Sequence, residues 1–382
     1  MIWRGIIADM KIGIDARFFG HIGKGLGRYT QKLIESLEKN DQKNQYFVFL
    51  RKENFDSYQP QSGNFKKILA DYKWYSFQEQ FFFTFFLKKY QLDLMHFAHF
   101  NVPFLYSGKF IVTIHDLILI HFPTIKNSTL YPIFYKFKFW AYKKVIKNAI
   151  FKSRKVIAVS NFTRQDILKN YPKISFSKIA VTYEACDDFC RISFEKDRDI
   201  FSRYGIMKPY LLYVGNAYPH KNLERLVLAF EKIGQDKKNF HLVLVGKMDY
   251  FYLRLKKFVE DKKISNIILS GYVTDKELDR IFLNASVYVS ASLYEGFGLP
   301  LLEAMNNGTP VVVSQHSCAK EILGDSARYF DGKDIDDVAE KIKEVISNSD
   351  LRKKMIKRGY LQVAKYSWKK MAQETKRIYE SV

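Results

Sequence analysis

Cysteine and long apolar runs are scarce in this 382-residue chain, and each shortage excludes a class of protein. Three cysteines are too few and too scattered for a disulfide framework, which favours a reducing compartment. No apolar run reaches the roughly 18 residues that a membrane-spanning helix needs. Residues 1–9 lack the apolar core of a signal peptide, so export by that route is not expected, and both Met1 and Met10 are compatible with a translation start.

Acidic residues are also in short supply, since 40 Asp and Glu face 62 Lys and Arg and leave a net charge of +22. Such an excess implies a polyanionic partner: nucleic acid, anionic lipid headgroups or phosphorylated small molecules. Basic residues alternate with aromatic ones at helical spacing in 136–155, and 74–90 repeats the combination. This pattern is typical of a helix lying on a membrane surface, or equally of a core-facing helix with a solvated basic face.

Short apolar runs that alternate with longer amphipathic segments are abundant. This alternation predicts strand–helix units and parallel sheets, in two series. The predicted strands are KIGIDA, YFVFL, LDLMHF, FIVTIH, KVIAVS and KIAVTY in the first series, and YLLYV, HLVLV, IILS, SVYVS and PVVVS in the second. The helices predicted for the first series lie at about 25–39, 76–90, 129–152 and 161–170, and a helix follows nearly every strand of the second.

We therefore predict an α/β fold of two Rossmann-like, doubly wound domains that face each other across a cleft. The first domain is predicted at 1–195, followed by an irregular polar linker at 196–207. The second domain is predicted at 208–365, and a C-terminal helix at 366–382 is expected to pack back on the first domain.

A glycine-rich stretch follows the first predicted strand, at the sheet edge where open parallel sheets bind ligands. Gly23, Gly25 and Gly27 open a helix there, and small residues let backbone N–H groups approach a phosphate. The spacing is not the dinucleotide fingerprint, because Arg28 and Thr30 stand where glycine would be needed. The alternative is a turn that merely requires positive φ.

Two further candidates follow other predicted strands. His115 ends a strand and precedes Asp116, which can orient its ring; a hydrogen-bonded core histidine is the alternative. Lys221 lies between a strand end and a helix, beside Gly215, where its ammonium can meet a diphosphate. An ordinary exposed lysine is the alternative there.

The stretch YEGFGLPLLEAM places Glu295 and Glu303 around a glycine-rich turn. Pro300 suits a first helical position, so Glu295 is expected to precede the helix and Glu303 to lie on it. Carboxylates accept hydrogen bonds from hydroxyls, so the two acids suit opposite ends of a nucleotide sugar, with the backbone of 297–299 beside its diphosphate. A hydrolytic pair of carboxylates is one alternative, and Glu303 as an ordinary first-turn acid is another.

Three patterns resemble metal-binding pairs by spacing alone: Asp197-x-Asp199, Asp334-x-Asp336 and Cys186-x3-Cys190. The aspartate pairs do not follow apolar strands, and the cysteine pair has no second pair of ligands. We therefore predict no metal site.

Taken together, these motifs resemble the retaining glycosyltransferases of the GT-B fold, family 4 (group 1), and in particular bacterial mannosyl- and rhamnosyltransferases of surface polysaccharide synthesis. The resemblance extends over nearly the whole chain. The stretches that carry it are DARFFGHIGKGLGRYTQKL, WYSFQEQ, VTIHDL, AVSNFTRQDI, LYVGNAYPHKNLERLVLAF, SGYV and, most specifically, SLYEGFGLPLLEAMNNGTPVVVS.

The resemblance implies a role for each candidate residue. Glu295 would hold hydroxyls of the donor sugar and Glu303 the ribose, Lys221 would neutralise the diphosphate, and His115 would lie over the transferred sugar. The family usually pairs its lysine with an arginine, where this chain has Asn216 and His220, and Arg28 is a candidate substitute. The remaining donor-binding residues would be Gly25, Gly27, Gly215, Asn216, Tyr272, Val273, Phe297, Gly298 and Leu299.

The reaction implied is metal-independent, cofactor-free transfer of a hexose, with retention, from a nucleotide sugar to a glycan or lipid-linked acceptor. GDP-mannose is the first candidate donor, and the first domain would take the acceptor. The enzyme would be cytoplasmic, in peripheral contact with the anionic inner face of the plasma membrane. A nucleotide-sugar epimerase or a phosphorylase on the same fold is the alternative, and a basic nucleic-acid-binding protein is a more distant one that lacks any base-reading motif.

Overall fold

The computed structural model describes residues 9–123, 132–187, 197–234 and 239–382. These residues form two compact units. The first unit contains the described residues up to Glu184 together with Ser367–Val382, and the second contains the described residues of Ala185–Tyr366.

Each unit is built on a parallel sheet, of seven strands in the first unit and six in the second. The strands of the first sheet are β1 Lys11–Asp15, β2 Gln45–Leu50, β3 Phe65–Leu69, β4 Leu94–Phe97, β5 Phe110–Ile114, β6 Val156–Ala158 and β7 Ile179–Val181. Those of the second are β8 Tyr210–Val214, β9 His241–Val245, β10 Ile267–Gly271, β11 Val287–Ser290, β12 Val311–Ser314 and β13 Arg328–Phe330.

Helices connect these strands. The α-helices are α1 Lys24–Asn40, α2 Thr84–Lys88, α3 Ile118–His121, α4 Pro132–Lys152, α5 Asn161–Asn170, α6 Asp197–Tyr204, α7 Leu223–Gly234, α8 Tyr250–Asp261, α9 Asp275–Asn284, α10 Leu299–Asn306, α11 Ala319–Leu323, α12 Ile335–Ser347, α13 Ser349–Val363 and α14 Trp368–Tyr379. A π-helix, Glu79–Phe83, runs directly into α2, and short 3₁₀ turns lie at Gly20–Gly23, Lys52–Asn54, Phe176–Lys178, Pro219–Lys221 and Gly324–Ser326.

The strand order is the same in both sheets, apart from one extra edge strand in the first. It is β3-β2-β1-β4-β5-β6-β7 in the first sheet and β10-β9-β8-β11-β12-β13 in the second. This is the doubly wound order, in which the connections reverse direction beside the first strand of each sheet. The reversal points are β1/β4 and β8/β11, and the predicted α/β fold with two Rossmann-like domains is confirmed.

The central strands form because they are apolar on both faces, as strands of a parallel sheet covered by helices must be. All five residues of β5 (FIVTI) and all four of β11 (VYVS) are buried. Amphipathic helices cover the sheets; α7, for example, buries Leu226, Val227 and Phe230 against the core of the second unit.

The last helix, α14, belongs to the first unit, where it packs on α1. Ser367 caps it by accepting a hydrogen bond from the N–H of Lys370. Its last residue, Tyr379, is fully buried, and its hydroxyl lies 2.7 Å from Nδ1 of His96 on β4.

The structure differs from the sequence-based prediction in three respects. β3 and β13 are edge strands that the sequence analysis did not predict. The helix predicted at 76–90 is a π-helix followed by the short α2. Residues 197–204, assigned to a linker, form α6 in the second unit, where Tyr204 donates to Glu277 of α9. The start predicted for the helix at 129–152 lies outside the described residues, which show α4 from Pro132.

Candidate functional site

In the second unit, the loops that follow β8 and β11 meet at the point where the strand order reverses. Nζ of Lys221 lies 2.5 Å from Oε1 of Glu295, and the two side chains are only 14% and 17% exposed. The N–H of Leu293 donates to the carbonyl of His220 at 2.8 Å, which ties the two loops together. The fold thus brings together two of the three residues predicted to be catalytic.

Asn222 holds this junction in place. Its backbone is left-handed (φ 61°), and its Nδ2 donates to the carbonyl of Ala291 at 3.1 Å and to that of Gly332 at 2.6 Å. Its Oδ1 accepts a hydrogen bond from Arg225 at 2.8 Å. The side chain therefore joins the loops after β8, β11 and β13, directly beside Lys221. The sequence analysis missed this residue, because nothing in the sequence pairs it with carbonyls 69 and 110 positions away.

The charges of the junction shift the pKa values of its acidic and imidazole groups. Burial acts to raise the pKa of Glu295, but the Lys221 charge together with hydrogen bonds to the carboxylate from Lys221 and Ser292 lowers that pKa below its usual value. Burial lowers the pKa of His220 to about 4, and the neighbouring Lys221 charge acts in the same direction. At neutral pH the site therefore holds an ionised Glu295 beside a neutral His220.

The turn after Glu295 leads into α10 as the sequence predicts. Gly298 is the N-cap residue with φ 85°, and a Cβ there would approach the Leu301 side chain to 2.8 Å, so only glycine fits. Backbone N–H groups in the first turn of a helix favour an anion. In α10, Pro300 has no N–H and the N–H of Leu301 donates to the carbonyl of Gly298 at 3.0 Å. Glu303, on this helix, is 4% exposed.

Glu295 and Glu303 act on a common neighbour. The hydroxyl of Tyr288, on β11, is 3.4 Å from the carbonyl of Val214, the last residue of β8. Burial raises its pKa well above the usual value, and the charges of Glu295 and Glu303 raise it further. Both acids therefore lie within electrostatic reach of the carboxyl ends of β8 and β11.

Gly215 directly follows β8, with φ 151°. A Cβ there would meet the Tyr213 hydroxyl at 2.7 Å. That hydroxyl donates to the carbonyl of Asn216 at 2.7 Å, and the Tyr252 hydroxyl donates to the carbonyl of Gly215 at 2.9 Å. The close packing of Tyr213 and the positive φ account for glycine at this position, and a role of Gly215 and Asn216 in donor binding stays a prediction.

Tyr272 and Val273, predicted to contact the base, follow β10 in the second unit. The Tyr272 side chain is 64% exposed, whereas Val273 is buried. The N–H of Gly246, after the neighbouring β9, donates to the carbonyl of Gly271 at 3.1 Å. An exposed aromatic ring thus lies at the carboxyl edge of β10, where stacking on a base is sterically open.

In the first unit, the three glycines that open α1 differ in what surrounds them. A Cβ on Gly27 would meet the Gly20 carbonyl oxygen at 2.0 Å, and one on Gly23 would meet that of Phe18 at 2.1 Å. A Cβ on Gly25 would meet nothing within 4 Å. Gly23 and Gly27 are therefore required by close packing, whereas Gly25 leaves an open surface at the helix start. Positive φ occurs at Gly20 and accounts for none of the three.

His115, after β5, has a protein partner at each ring nitrogen. Nε2 lies 3.0 Å from the carbonyl of Ala98 and Nδ1 lies 3.1 Å from Oε1 of Glu184. A carbonyl only accepts, so Nε2 donates to Ala98, while Nδ1 faces the Glu184 carboxylate. Asp116 does not orient this ring in the way the sequence suggested; one of its oxygens accepts from the N–H of Ile118.

The sequence analysis also missed a buried ionic cluster near β1. Arg17, fully buried, lies 2.7 Å from Asp15 and 2.6 Å from Glu79, and Asn101 donates to Glu79 at 2.7 Å. Burial opposes the charge of Arg17, but the two carboxylates raise its pKa above the usual value. The motifs DAR and QEQ were signals of this cluster, but 62 positions separate Arg17 from Glu79 and no periodicity connects them.

The residues with metal-like spacing take part in helices and ion pairs. Asp334 caps α12 by accepting from the N–H groups of Asp336 and Asp337, and Asp336 pairs with Lys232. Asp197 and Asp199 lie on α6. Cys186 is half-buried, and Cys190 lies outside the described residues. Within the described ranges, no three His, Cys, Asp or Glu side chains are grouped as metal ligands would be.

Two family profiles match this chain. The profile described as glycosyl transferases group 1 matches residues 196–362, and that described as glycosyltransferase family 4 matches residues 23–188. The chain belongs to the group 1 glycosyltransferases.

Named relatives of this glycosyltransferase include bacterial mannosyltransferases. O-antigen chain mannosyltransferase B of Escherichia coli is 29% identical over 244 residues, which is 62% of this chain and 63% of that protein. O-antigen chain mannosyltransferase RfbU of Salmonella typhimurium is 26% identical over 279 residues, which is 72% of this chain and 70% of that protein. The match thus leaves more than a third of the E. coli relative uncovered.

Solved structures share the fold over almost the full length. Sucrose-phosphate synthase from Thermosynechococcus elongatus has a TM-score of 0.74 at 19% identity, covering 97% of this chain and 98% of that one. WaaG, a glycosyltransferase involved in lipopolysaccharide biosynthesis, has a TM-score of 0.73 at 14% identity, covering 97% and 99%. These likenesses identify the glycosyltransferase as a GT-B protein.

Proposed function

We propose that this glycosyltransferase transfers mannose from GDP-mannose to a hydroxyl of a glycan or lipid-linked acceptor, with retention at the anomeric carbon. The bond between that carbon and the diphosphate breaks, the acceptor oxygen bonds to the same face, and the acceptor proton passes to a diphosphate oxygen. The single observation that carries the proposal is the Lys221–Glu295 pair at the β8/β11 reversal point, beside the N–H groups at the start of α10.

The chemical difficulty is the negative charge that develops on the departing diphosphate. Lys221 supplies a positive charge, and the N–H groups after Gly298 supply oriented dipoles, so the reaction needs no metal in this proposal. Glu295 holds hydroxyls of the donor sugar and Glu303 holds the ribose. Gly25, whose surroundings are open, lets the start of α1 approach the donor phosphates. His115 lies over the transferred sugar.

Mannose is the first choice of sugar because the named relatives of E. coli and Salmonella are mannosyltransferases. A thermal-shift screen against GDP-, UDP-, ADP- and dTDP-sugars tests the donor, because a ligand that binds only the folded state stabilises it by about 2.7 kcal/mol at a concentration 100 times its Kd. We expect GDP-mannose to give the largest shift. A larger rise in melting temperature with another sugar nucleotide would identify that compound as the donor instead. If no sugar nucleotide raised the melting temperature, the proposed function would be wrong.

The proposal includes peripheral contact with an anionic membrane, which the surface of the first unit supports. Aromatic rings are exposed just before the π-helix, at Phe77, and along the π-helix and α2, at Phe81, Phe82 and Phe85. On α4, Phe137 and Trp140 are exposed, while Ile146, Ala149 and Ile150 further along pack in the core. The described part of the chain contains no helix long and apolar enough to cross a membrane.

These two segments are neighbours. The N–H of Phe104 donates to Gln80 on the π-helix at 2.8 Å, and the carbonyl of Phe104 accepts from Lys152, the last residue of α4, at 3.4 Å. The sequence has no Asp or Glu between Glu79 and Asp93. Exposed aromatic rings interleaved with lysines, free of acidic residues, suit an interface with anionic headgroups.

The longer segment between Asp116 and Asp166 likewise contains no acidic residue but ten Lys and Arg. Lys144 lies over the Trp140 ring at 5.5 Å. Each basic residue near an anionic surface contributes about 1 kcal/mol to binding at low screening. Membrane contact of this kind should therefore weaken as salt is added.

Co-sedimentation with phosphatidylcholine vesicles, with and without phosphatidylglycerol, tests this contact. The wild type should sediment only with the anionic vesicles. The triple variant Phe81→Ser, Phe82→Ser, Phe85→Ser should remain in solution. A matched triple variant of exposed leucines in the second unit, Leu253→Ser, Leu283→Ser, Leu361→Ser, should bind like the wild type. If both triple variants lost vesicle binding equally, or if both bound vesicles as the wild type does, the surface assigned to membrane contact would be wrong.

A further inference from the structure

Tyr75 has an unusual backbone for an aromatic residue. Its φ is 60°, in the left-handed region, and 59% of the residue is exposed. A bulky residue avoids this conformation unless its surroundings impose it, and such residues concentrate at binding sites. The question is therefore what holds Tyr75 there and what its ring presents to solvent.

The buried ionic cluster holds it. The N–H of Tyr75 donates to Oε2 of Glu79 at 2.8 Å, and Oε1 of Glu79 is bound by Arg17 at 2.6 Å and by Asn101 at 2.7 Å. The preceding residue, Trp74, stacks flat on Phe18, with ring centroids 4.2 Å apart and planes 3° from parallel. An arginine and a carboxylate with fully buried side chains thus fix the position of an exposed ring.

The ring lies at the carboxyl edge of the central strands of the first sheet. Its centroid is 6.4 Å from those of His99 and Phe100, which follow β4. Asp116 follows β5, the strand that pairs with β4 in the sheet. This edge includes the β1/β4 reversal point, where doubly wound sheets bind ligands.

We propose that Tyr75 is the stacking surface of an acceptor subsite, on which the apolar face of a pyranose ring lies while Asp116 accepts a hydrogen bond from a sugar hydroxyl. One carboxylate oxygen of Asp116 accepts from the N–H of Ile118, and a carboxylate has capacity for further donors. Because the fold already fixes the position of this exposed ring, little conformational entropy is lost when a ligand binds to it, which favours affinity. This subsite rests on the proposed function, since it assigns the acceptor of that reaction to the first unit.

Tyr75→Gly is the informative substitution, because glycine adopts a φ of 60° without strain and removes only the ring. Tyr75→Phe keeps the ring. Phe176→Ala is a matched control, since Phe176 is 56% exposed in the same unit but lies before β7, at the opposite edge of the sheet. Binding of α-linked mannobiose is followed by saturation-transfer NMR, and binding of GDP-mannose by calorimetry.

Saturation transfer to mannobiose should be seen with the wild type, Tyr75→Phe and Phe176→Ala. With Tyr75→Gly the signal should be at least about tenfold weaker. The affinity for GDP-mannose should be the same in all four proteins. Undiminished mannobiose binding by Tyr75→Gly, an equal loss in Phe176→Ala, or no mannobiose signal from the wild type would overturn the subsite. If the wild type binds mannobiose through Tyr75 but binds no sugar nucleotide, the proposed function fails and the stacking surface stands.

Discussion

The ammonium of Lys221 lies 2.5 Å from the carboxylate of Glu295, although 74 positions separate them in the chain. Without a donor, each charge neutralises the other in a largely buried place. A diphosphate that binds there has to share Lys221 with the carboxylate. In the proposed reaction, the pair would keep a cation in position for the leaving group without leaving a buried charge uncompensated.

Glu295→Ala should lower the rate of transfer by at least about 100-fold, because the donor sugar loses the carboxylate that positions it. It also leaves Lys221 without its partner, which costs stability. The double variant Glu295→Ala, Lys221→Met should recover stability but not activity, as seen by thermal unfolding and by product formation from GDP-mannose. Near-normal turnover in either variant would remove Glu295 from the mechanism.

His220 should make the protein less stable in mild acid. Its pKa in the folded protein is about 4, below the value of 6.5 of a free histidine, so the unfolded chain takes up the proton first. The stabilisation is complete above pH 6.5 and is lost as the pH falls towards 4, with about 2 kcal/mol lost between pH 7 and pH 5. Urea unfolding of His220→Gln should show a correspondingly smaller loss.

The control for this experiment is His21→Gln, which replaces an exposed histidine. The buried His96, whose pKa burial lowers to about 3, contributes in the same direction in every variant and so cancels from the comparison. A pH dependence of unfolding that is identical in wild type and His220→Gln would mean that His220 is not held neutral by its surroundings.

Gly25 and Gly27 should respond differently to a single added methyl group. Gly27→Ala forces a Cβ to within 2.0 Å of a backbone oxygen, and such overpacking typically costs about 1–3 kcal/mol. Gly25→Ala meets nothing and gains helix propensity, so its melting temperature should not fall. If the start of α1 approaches the donor phosphates, Gly25→Ala should instead raise the KM for GDP-mannose. An unchanged KM would place that helix start away from the donor.

Asn222→Gly should test whether the Asn222 side chain positions Lys221, because it removes that side chain without straining the backbone. Glycine tolerates the left-handed conformation, so the substitution removes only the hydrogen bonds to Ala291, Gly332 and Arg225. The carbonyls of Ala291 and Gly332 each lose a hydrogen-bond donor, which lowers the free energy of unfolding by about 1–3 kcal/mol per carbonyl if no water replaces the donor. We expect kcat to fall more than donor affinity, measured by steady-state kinetics and calorimetry, and Asn222→Asp not to restore it, because a carboxylate cannot donate. Full activity of Asn222→Gly would show that Lys221 keeps its position unaided.

The sequence was sufficient to predict the strands and helices that are determined by their own local residue pattern. The buried strands of both sheets are continuous apolar runs, and Gly298 and Pro300 set the start of α10. β3 (FKKIL) and β13 (RYF) were not predicted, because they are short edge strands with basic residues that gain their conformation by pairing with β2 and β12.

The same division applies to the candidate site. Glu295, Glu303 and Lys221 were recognisable because each sits in a motif with its own local geometry. Asn222, Tyr75 and the cluster of Arg17 with Asp15 and Glu79 depend on partners brought close by the fold alone. Long-range hydrogen bonds of this kind leave no period in a single sequence.

The position of α14 bears on how the chain is synthesised. Its Tyr379 hydroxyl meets His96 in the interior of the first unit, which otherwise consists of residues before 185. A ribosome therefore releases all of the second unit before it delivers the helix that completes the first. Until then α1 exposes the face that α14 will cover, so a chaperone acting on nascent chains would find its binding surface there.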